Sequence, residues 1–287
     1  MTIRYDIPDA EYHGLNHSLS STGARKLLPP FTPRDFQHWR NAPRVDTDAF
    51  DLGHVVHALV LGRGAEYAVL DPAVHGLKKD GTVADNPRAT ATWKEAVSQA
   101  RADGLTPIHV SDFRTADAMA AAVRADAAGY FVDGDPEVTV FATDPDTGVE
   151  LRARFDWLKP GAIEDLKTAR SAEPRHFERH AEDLGYVVQE AFYRHVAFLA
   201  GLEVQRFTFV AVAKQEPYHV TVHEYDDDAL TVGAEMVRRA IDTFAECSRT
   251  DHWPGFPAEV NRMRLWRNRP SYAADAAALI AELENIA

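Results

Sequence analysis

Around residue 135 the spacing of apolar residues along the chain changes from a repeat of three or four to a repeat of two. Upstream, LSSTGARKLL sets serines ahead of an apolar-periodic run, which predicts a helix start. PPFTPRDFQHWRNAPR carries prolines that predict a loop between short helices. DAFDLGHVVHALVLG, residues 48–62, reads as a mostly buried helix, and the turn-rich stretch 62–90 as an excursion over the surface. Further helices are predicted at 91–102 and 111–128. Downstream, EVTVFA (137–142), ELRARFDWL (150–158) and AIEDLKT (162–168) alternate with period two between DPDTG and KPG turns, an antiparallel meander. One helix is expected over 174–200, where Leu184, Val188, Ala191, Phe192, His195 and Leu199 recur at helical spacing. RFTFVAVAK (206–214) and YHVTVHEY (218–225) read as strands, and 227–247 as a helix whose acidic first turn suits the dipole. The pattern predicts one α/β domain: a mostly helical portion (1–130), a sheet with its following helix (131–225) and a C-terminal helical segment (226–287).

The meander carries charge where a sheet tolerates it poorly. With Lys159 to Ala162 as the turn, Leu158 faces Ile163, and counting back sets Asp156 opposite Asp165. Facing residues of an antiparallel pair lie roughly 5 Å apart at Cβ, so two carboxylates there repel unless a cation lies between them. Phe155 and Trp157 are expected on the other face, and Lys167 returns to the carboxylate face. A hard cation with oxygen ligands, Mg²⁺ or Mn²⁺, suits the pair. On the hairpin alone a solvated face, with Arg152, Arg154 and Lys167 as ion-pair partners, is the simpler account.

Composition narrows the classes. With 287 residues, 45% of them hydrophobic, the chain can bury a substantial core, and it has no apolar run long enough for a bilayer. MTIRYDIPDAEYHG reads as neither signal nor transit peptide. The single cysteine, Cys247, excludes a disulfide framework, a multi-cysteine zinc site and a four-cysteine iron–sulfur cluster, and predicts a cytoplasmic protein. A net charge of −13 argues against general affinity for polyanions, so nucleic-acid contacts would need local patches. The candidates are Arg34, Arg40 and Arg44; Lys78 and Lys79; and NRMRLWRNRP near the C-terminus.

Two further spacings bear on the hairpin. Gln189 and Tyr193, four apart on a helix, share a face, and Gly53 and His57 form G-x-x-x-H in the buried-looking helix. The ordered set of Gly53–His57, Asp156, D-x-K at Asp165–Lys167 and Q-x-x-x-Y at Gln189–Tyr193 resembles the RecB-like branch of the PD-(D/E)XK nuclease superfamily. The opening YHGLNHSLSSTGARKLLPPFTPRDFQHW resembles RecE-type (exonuclease VIII-like) phage and prophage exonucleases. One departure is Phe155, which stands where the motif's name has proline.

The resemblance implies a restriction-endonuclease-like core, a mixed sheet flanked by helices. It implies one or two Mg²⁺ or Mn²⁺ ions held by Asp156, Asp165, His57 and the Leu166 backbone carbonyl, with Glu137 a further acidic candidate. Lys167 would orient water or stabilise phosphoryl charge, and Gln189 and Tyr193 would position strand or ligands. Arg152 and Arg154 are the expected DNA-binding walls. The implied activity is exonucleolytic digestion of linear duplex DNA, 5′ to 3′, giving 3′ overhangs. A homo-oligomeric ring and a RecT-type single-strand annealing partner are implied too, with no membrane role. Three alternatives stay open: an endonuclease of the same fold, a non-catalytic DNA-binding relic, and a zinc hydrolase using His54 and His57, which lacks the glutamate of H-E-x-x-H.

Overall fold

The computed structural model of the chain describes residues 2–15, 17–42 and 48–262. In chain order the elements are β1 (Thr2–Arg4), α1 (Asp9–Gly14), β2 (Leu19–Ser20), α2 (Ser21–Lys26), α3 (Pro33–Asn41), α4 (Asp48–Leu61), β3 (Tyr67–Leu70) and α5 (Pro72–His75). Then come α6 (Ala91–Ala102), β4 (Thr106–His109), α7 (Val110–Asp126), β5 (Asp135–Thr143), β6 (Glu150–Lys159) and β7 (Gly161–Ala169). The chain continues through α8 (Pro174–Leu184), α9 (Tyr186–Leu199), β8 (Val204–Ala213), β9 (Val220–His223) and α10 (Asp227–Thr250). Residues 1–254 pack as one unit and 255–287 group separately; of the latter, 255–262 are described and hold no helix or strand. Arg44, most of NRMRLWRNRP and the rest of the expected C-terminal helical segment lie outside the described residues.

The main sheet runs β1-β5-β6-β7-β8-β9, with β2 added in parallel to β6. β5, β6 and β7 form the antiparallel meander, and α8 with α9 carries the chain across to β8, which lies parallel to β7. β3 and β4 make a separate parallel pair. The mixed sheet with flanking helices is the expected α/β architecture.

Each face of the sheet buries its own core. On one, Phe155, Ile163, Phe207 and Phe209 pack against Phe192 and Val196 of α9 and Ile241 of α10. On the other, Leu166, Val210 and Val212 meet Val55 and Val56 of α4 and Met119 of α7. Fully buried side chains of this size contribute roughly 2–3 kcal/mol each, so these strands are rigid supports.

Several sequence expectations need correction. The helix expected over 174–200 is two helices, because Gly185 adopts φ 64°, a left-handed conformation that ends α8 and turns the chain into α9. Apolar spacing continues across the break, so periodicity alone hides it. The proline-rich stretch is not only loop: Pro33 occupies the first turn of α3, where its missing N–H costs nothing, and Thr32 and Asp35 form a capping box. β1, β3 and β4 lie in stretches read as termini, turns or helix flanks.

Candidate active site

The predicted register holds at the turn: Trp157 pairs with Glu164, Leu158 with Ile163 and Lys159 with Ala162. The described ladder pairs of β6 and β7 end there, which corrects the expectation that Asp156 faces Asp165 as a ladder pair. The Leu166 N–H donates to Asp156 Oδ2 at 2.8 Å, so a side-chain bond stands where backbone pairing would continue. The alternation of β6 breaks at the same place. Phe155 packs in the α9-side core edge-on to Tyr193, whereas Trp157 packs edge-on to Phe131, which lies against the α7-side core. Phe155 and Trp157 therefore do not share a face.

Into this fork α4 brings His57, whose Nδ1 lies 3.5 Å from Asp156 Oδ2. From β5 comes Glu137, held at φ 54°, a strained conformation for a residue with a side chain. One ligand atom from each of His57, Glu137 and Asp156 falls within 4.8 Å of the others. Asp165 stands beside them: Gln189 Nε2 donates to its Oδ1 at 2.7 Å, and Lys167 Nζ meets its Oδ2. Lys167 also lies 4.9 Å from the centre of the Tyr186 ring. Tyr193 is enclosed and packs edge-on to Phe155 in the α9-side core, and burial raises its phenol pKa.

Electrostatics in the fork follow from burial and crowding. Burial, opposed by Lys167, raises Asp165 to about 6, and Asp156 is raised for the same first reason. Burial and then Lys167 lower His57 to about 4, so its imidazole is neutral near pH 7 and can offer a lone pair. Burial works against the Lys167 ammonium, but Asp165, Tyr186 and Asp156 outweigh it and raise its pKa. Lys167 is therefore a cation here and not a general base. One imidazole nitrogen and two carboxylates at mutual coordination distance, with a third carboxylate adjoining, form a donor set that fits Mg²⁺ or Mn²⁺. Among the described residues the metal-capable group contains His57 and not His54, which leaves the two-histidine zinc site without support.

The two arginines expected as DNA-binding walls both make contacts within the protein. Arg152 is buried at 7% exposure and donates to the Leu15 and Ser18 carbonyls and, at 2.8 Å, to Ser18 Oγ. It bolts the N-terminal segment to β6 and has no face left for a phosphate. Arg154 donates to Thr139 Oγ1 at 3.1 Å and to the Ile7 carbonyl at 2.9 Å, and its guanidinium covers the Tyr12 ring. Arg154 lines the site: besides holding the same N-terminal segment, it places its Nε 3.7 Å from Glu137 Oε2. These carbonyl partners lie more than a hundred residues away in sequence, so no local pattern signals them.

A solved structure of a candidate exonuclease from Eubacterium rectale superposes with a TM-score of 0.62 at 14% identity, covering 91% of this chain and 96% of that one. A phage-related exonuclease from Haemophilus somnus 129PT is more distant, at TM-score 0.35 and 10% identity over 84% of this chain and all of that one. No curated protein matches the sequence. Residues 36–265 match the family described as a PDDEXK-like domain of unknown function, DUF3799, a span that contains His57, Glu137, Asp156, Asp165, Lys167, Gln189 and Tyr193. With that match and the fork geometry, the chain belongs to the DUF3799 family of PDDEXK-like domains and carries the PD-(D/E)XK fold.

Proposed function

We propose that this chain is a divalent-metal-dependent nuclease that hydrolyses DNA phosphodiester bonds, acting as an exonuclease on linear duplex ends. One observation carries the reading: His57, Glu137, Asp156, Asp165 and Lys167, from three strands and one helix, converge where β6 and β7 part. His57, Glu137 and Asp156, with Asp165 alongside, would hold one or two Mg²⁺ or Mn²⁺ ions. Such an ion, when bound, activates water and polarises the scissile phosphate.

The chain's own residues do the rest. Lys167 holds a fixed positive charge in a site shielded from bulk water, where charge builds on the phosphoryl oxygens. Gln189 fixes the rotamer of Asp165, and such support to a ligand is commonly worth about 10–100-fold in metal affinity or activity. The Leu166 amide holds Asp156. Digestion from the 5′ end to leave 3′ overhangs, a ring-shaped homo-oligomer and a RecT-type partner belong to the same reading and rest on the sequence resemblance alone.

The test is linear duplex DNA labelled at the 5′ or 3′ end, incubated with Mg²⁺ or EDTA beside a covalently closed circle. The proposal expects Mg²⁺-dependent early release of the 5′ label and an intact circle. Cleavage of the circle would favour an endonuclease of the same fold. Retained binding without cleavage under any divalent metal would leave a DNA-binding relic.

A further inference from the structure

His57 and Glu137 of the fork line a cleft of about 200 Å³, whose walls are otherwise residues 5–8 and residues 63–65, with His54 and Arg154. The first wall is the N-terminal segment pinned by Arg154. The second is the turn after α4, in which Gly62 (φ 68°) and Gly64 (φ 123°) both lie where side chains are disfavoured, and Arg63 stands between them. A Cβ on Gly64 would sit 3.6 Å from Glu137 Oε1, so this turn runs directly beside a metal-capable carboxylate.

Arg63 differs from the other arginines near the site. Arg152 and Arg154 are engaged within the protein, Arg152 with the Leu15 and Ser18 carbonyls and Arg154 with the Ile7 carbonyl, Thr139 and Glu137. Arg63 is exposed and, among the described residues, shows no hydrogen bond or ion pair, only an electrostatic interaction that helps lower the Asp6 pKa. An exposed guanidinium fork in the lining of a metal-capable cleft, in a chain of net charge −13, is suited to bind a backbone phosphate. Tyr5, at 46% exposure on the opposite wall, adds an aromatic face for the sugar or base of the same strand.

We infer that the cleaved strand enters through this cleft and that Arg63 binds the phosphate next to the scissile one. The inference rests on the nuclease reading for its substrate, but its test does not need cleavage. Binding of a short fluorescent linear duplex would be followed by anisotropy with Ca²⁺ in place of Mg²⁺, over a series of salt concentrations, for wild type, Arg63→Ala, Arg63→Lys and Arg114→Ala. Arg114 is an exposed arginine of α7 and reports the general effect of losing one charge.

Arg63→Ala should weaken binding about tenfold and lower the slope of log K against log salt by about 0.9, the value for one phosphate contact. Arg63→Lys should restore the slope but only part of the affinity, because it keeps the charge and loses the fork. Arg114→Ala should change neither. Equal effects of Arg63→Ala and Arg114→Ala, or no effect of Arg63→Ala, would overturn the inference. Cleavage is scored separately with Asp156→Ala. A protein that binds through Arg63 and never cleaves would sink the nuclease reading and keep the strand path; one that cleaves normally without Arg63 would do the reverse.

Discussion

Lys167→Met keeps the length of the stem and removes the ammonium that meets Asp165 and lies in electrostatic reach of Asp156. Even with Lys167 present, burial holds Asp165 at about 6 against an ordinary 3.8. A carboxyl whose folded pKa lies above its unfolded one stabilises the fold fully below the unfolded value. That contribution is lost as pH rises through the folded value. Two units correspond to roughly 3 kcal/mol across that window. Without the lysine, ionised Asp165 has less compensation, so the loss steepens and reaches higher pH. At about pH 8 the variant should be less stable than wild type by about 3 kcal/mol, the range for a buried pair that loses one partner. At about pH 4.5 Asp165 is protonated in both proteins and the wild-type ammonium is itself uncompensated, so the difference should shrink below about 1 kcal/mol. Urea unfolding in EDTA at the two pH values reads both numbers. A deficit of the same size at both would refute the claim that Lys167 neutralises these carboxylates.

Other outcomes follow from the same geometry. His57 titrates at about 4, below its ordinary 6.5, so the stability it confers is present above pH 6.5 and lost as pH falls toward 4. His57→Gln should therefore flatten the stability profile across that window by up to about 3 kcal/mol, measured by unfolding in EDTA. Gln189→Ala frees a buried carboxylate oxygen and should lower Mn²⁺ affinity about 10–100-fold while leaving the fold intact by circular dichroism. Arg152→Met should cost stability, about 1–3 kcal/mol from the orphaned Leu15 and Ser18 carbonyls, and leave the salt slope of DNA binding unchanged. A reduced slope would return Arg152 to the DNA path.

Local chemistry made much of this legible from the sequence, and long-range geometry hid the rest. The KPG turn fixed the register at Leu158 and Ile163, because turn length sets hairpin pairing. Extending that count to Asp156 failed, because alternation reports a residue's face only while the ladder continues, and here the Leu166 amide turns to the Asp156 side chain. Glu137 was a further acidic candidate by resemblance, but the positive φ that accompanies its place beside His57 and Asp156 is announced by nothing in EVTVFA. Gln189 and Tyr193 share a helix face as spacing predicts. Their partners divide, one meeting Asp165 and the other the Phe155 ring, and a single-helix pattern cannot show that. Arg63 was passed over inside a turn-rich stretch, although the G-R-G triplet is the signal that could have marked it.

These side chains either form one metal-dependent centre or they do not. Calorimetric titration of Mn²⁺ into wild type and Asp156→Asn, with cleavage of linear duplex DNA assayed on the same preparations, decides it. Saturable binding and cleavage in the wild type, with both lost in the folded variant, is the predicted result. Equal Mn²⁺ binding by the two proteins, or cleavage that survives in Asp156→Asn, would contradict the assignment.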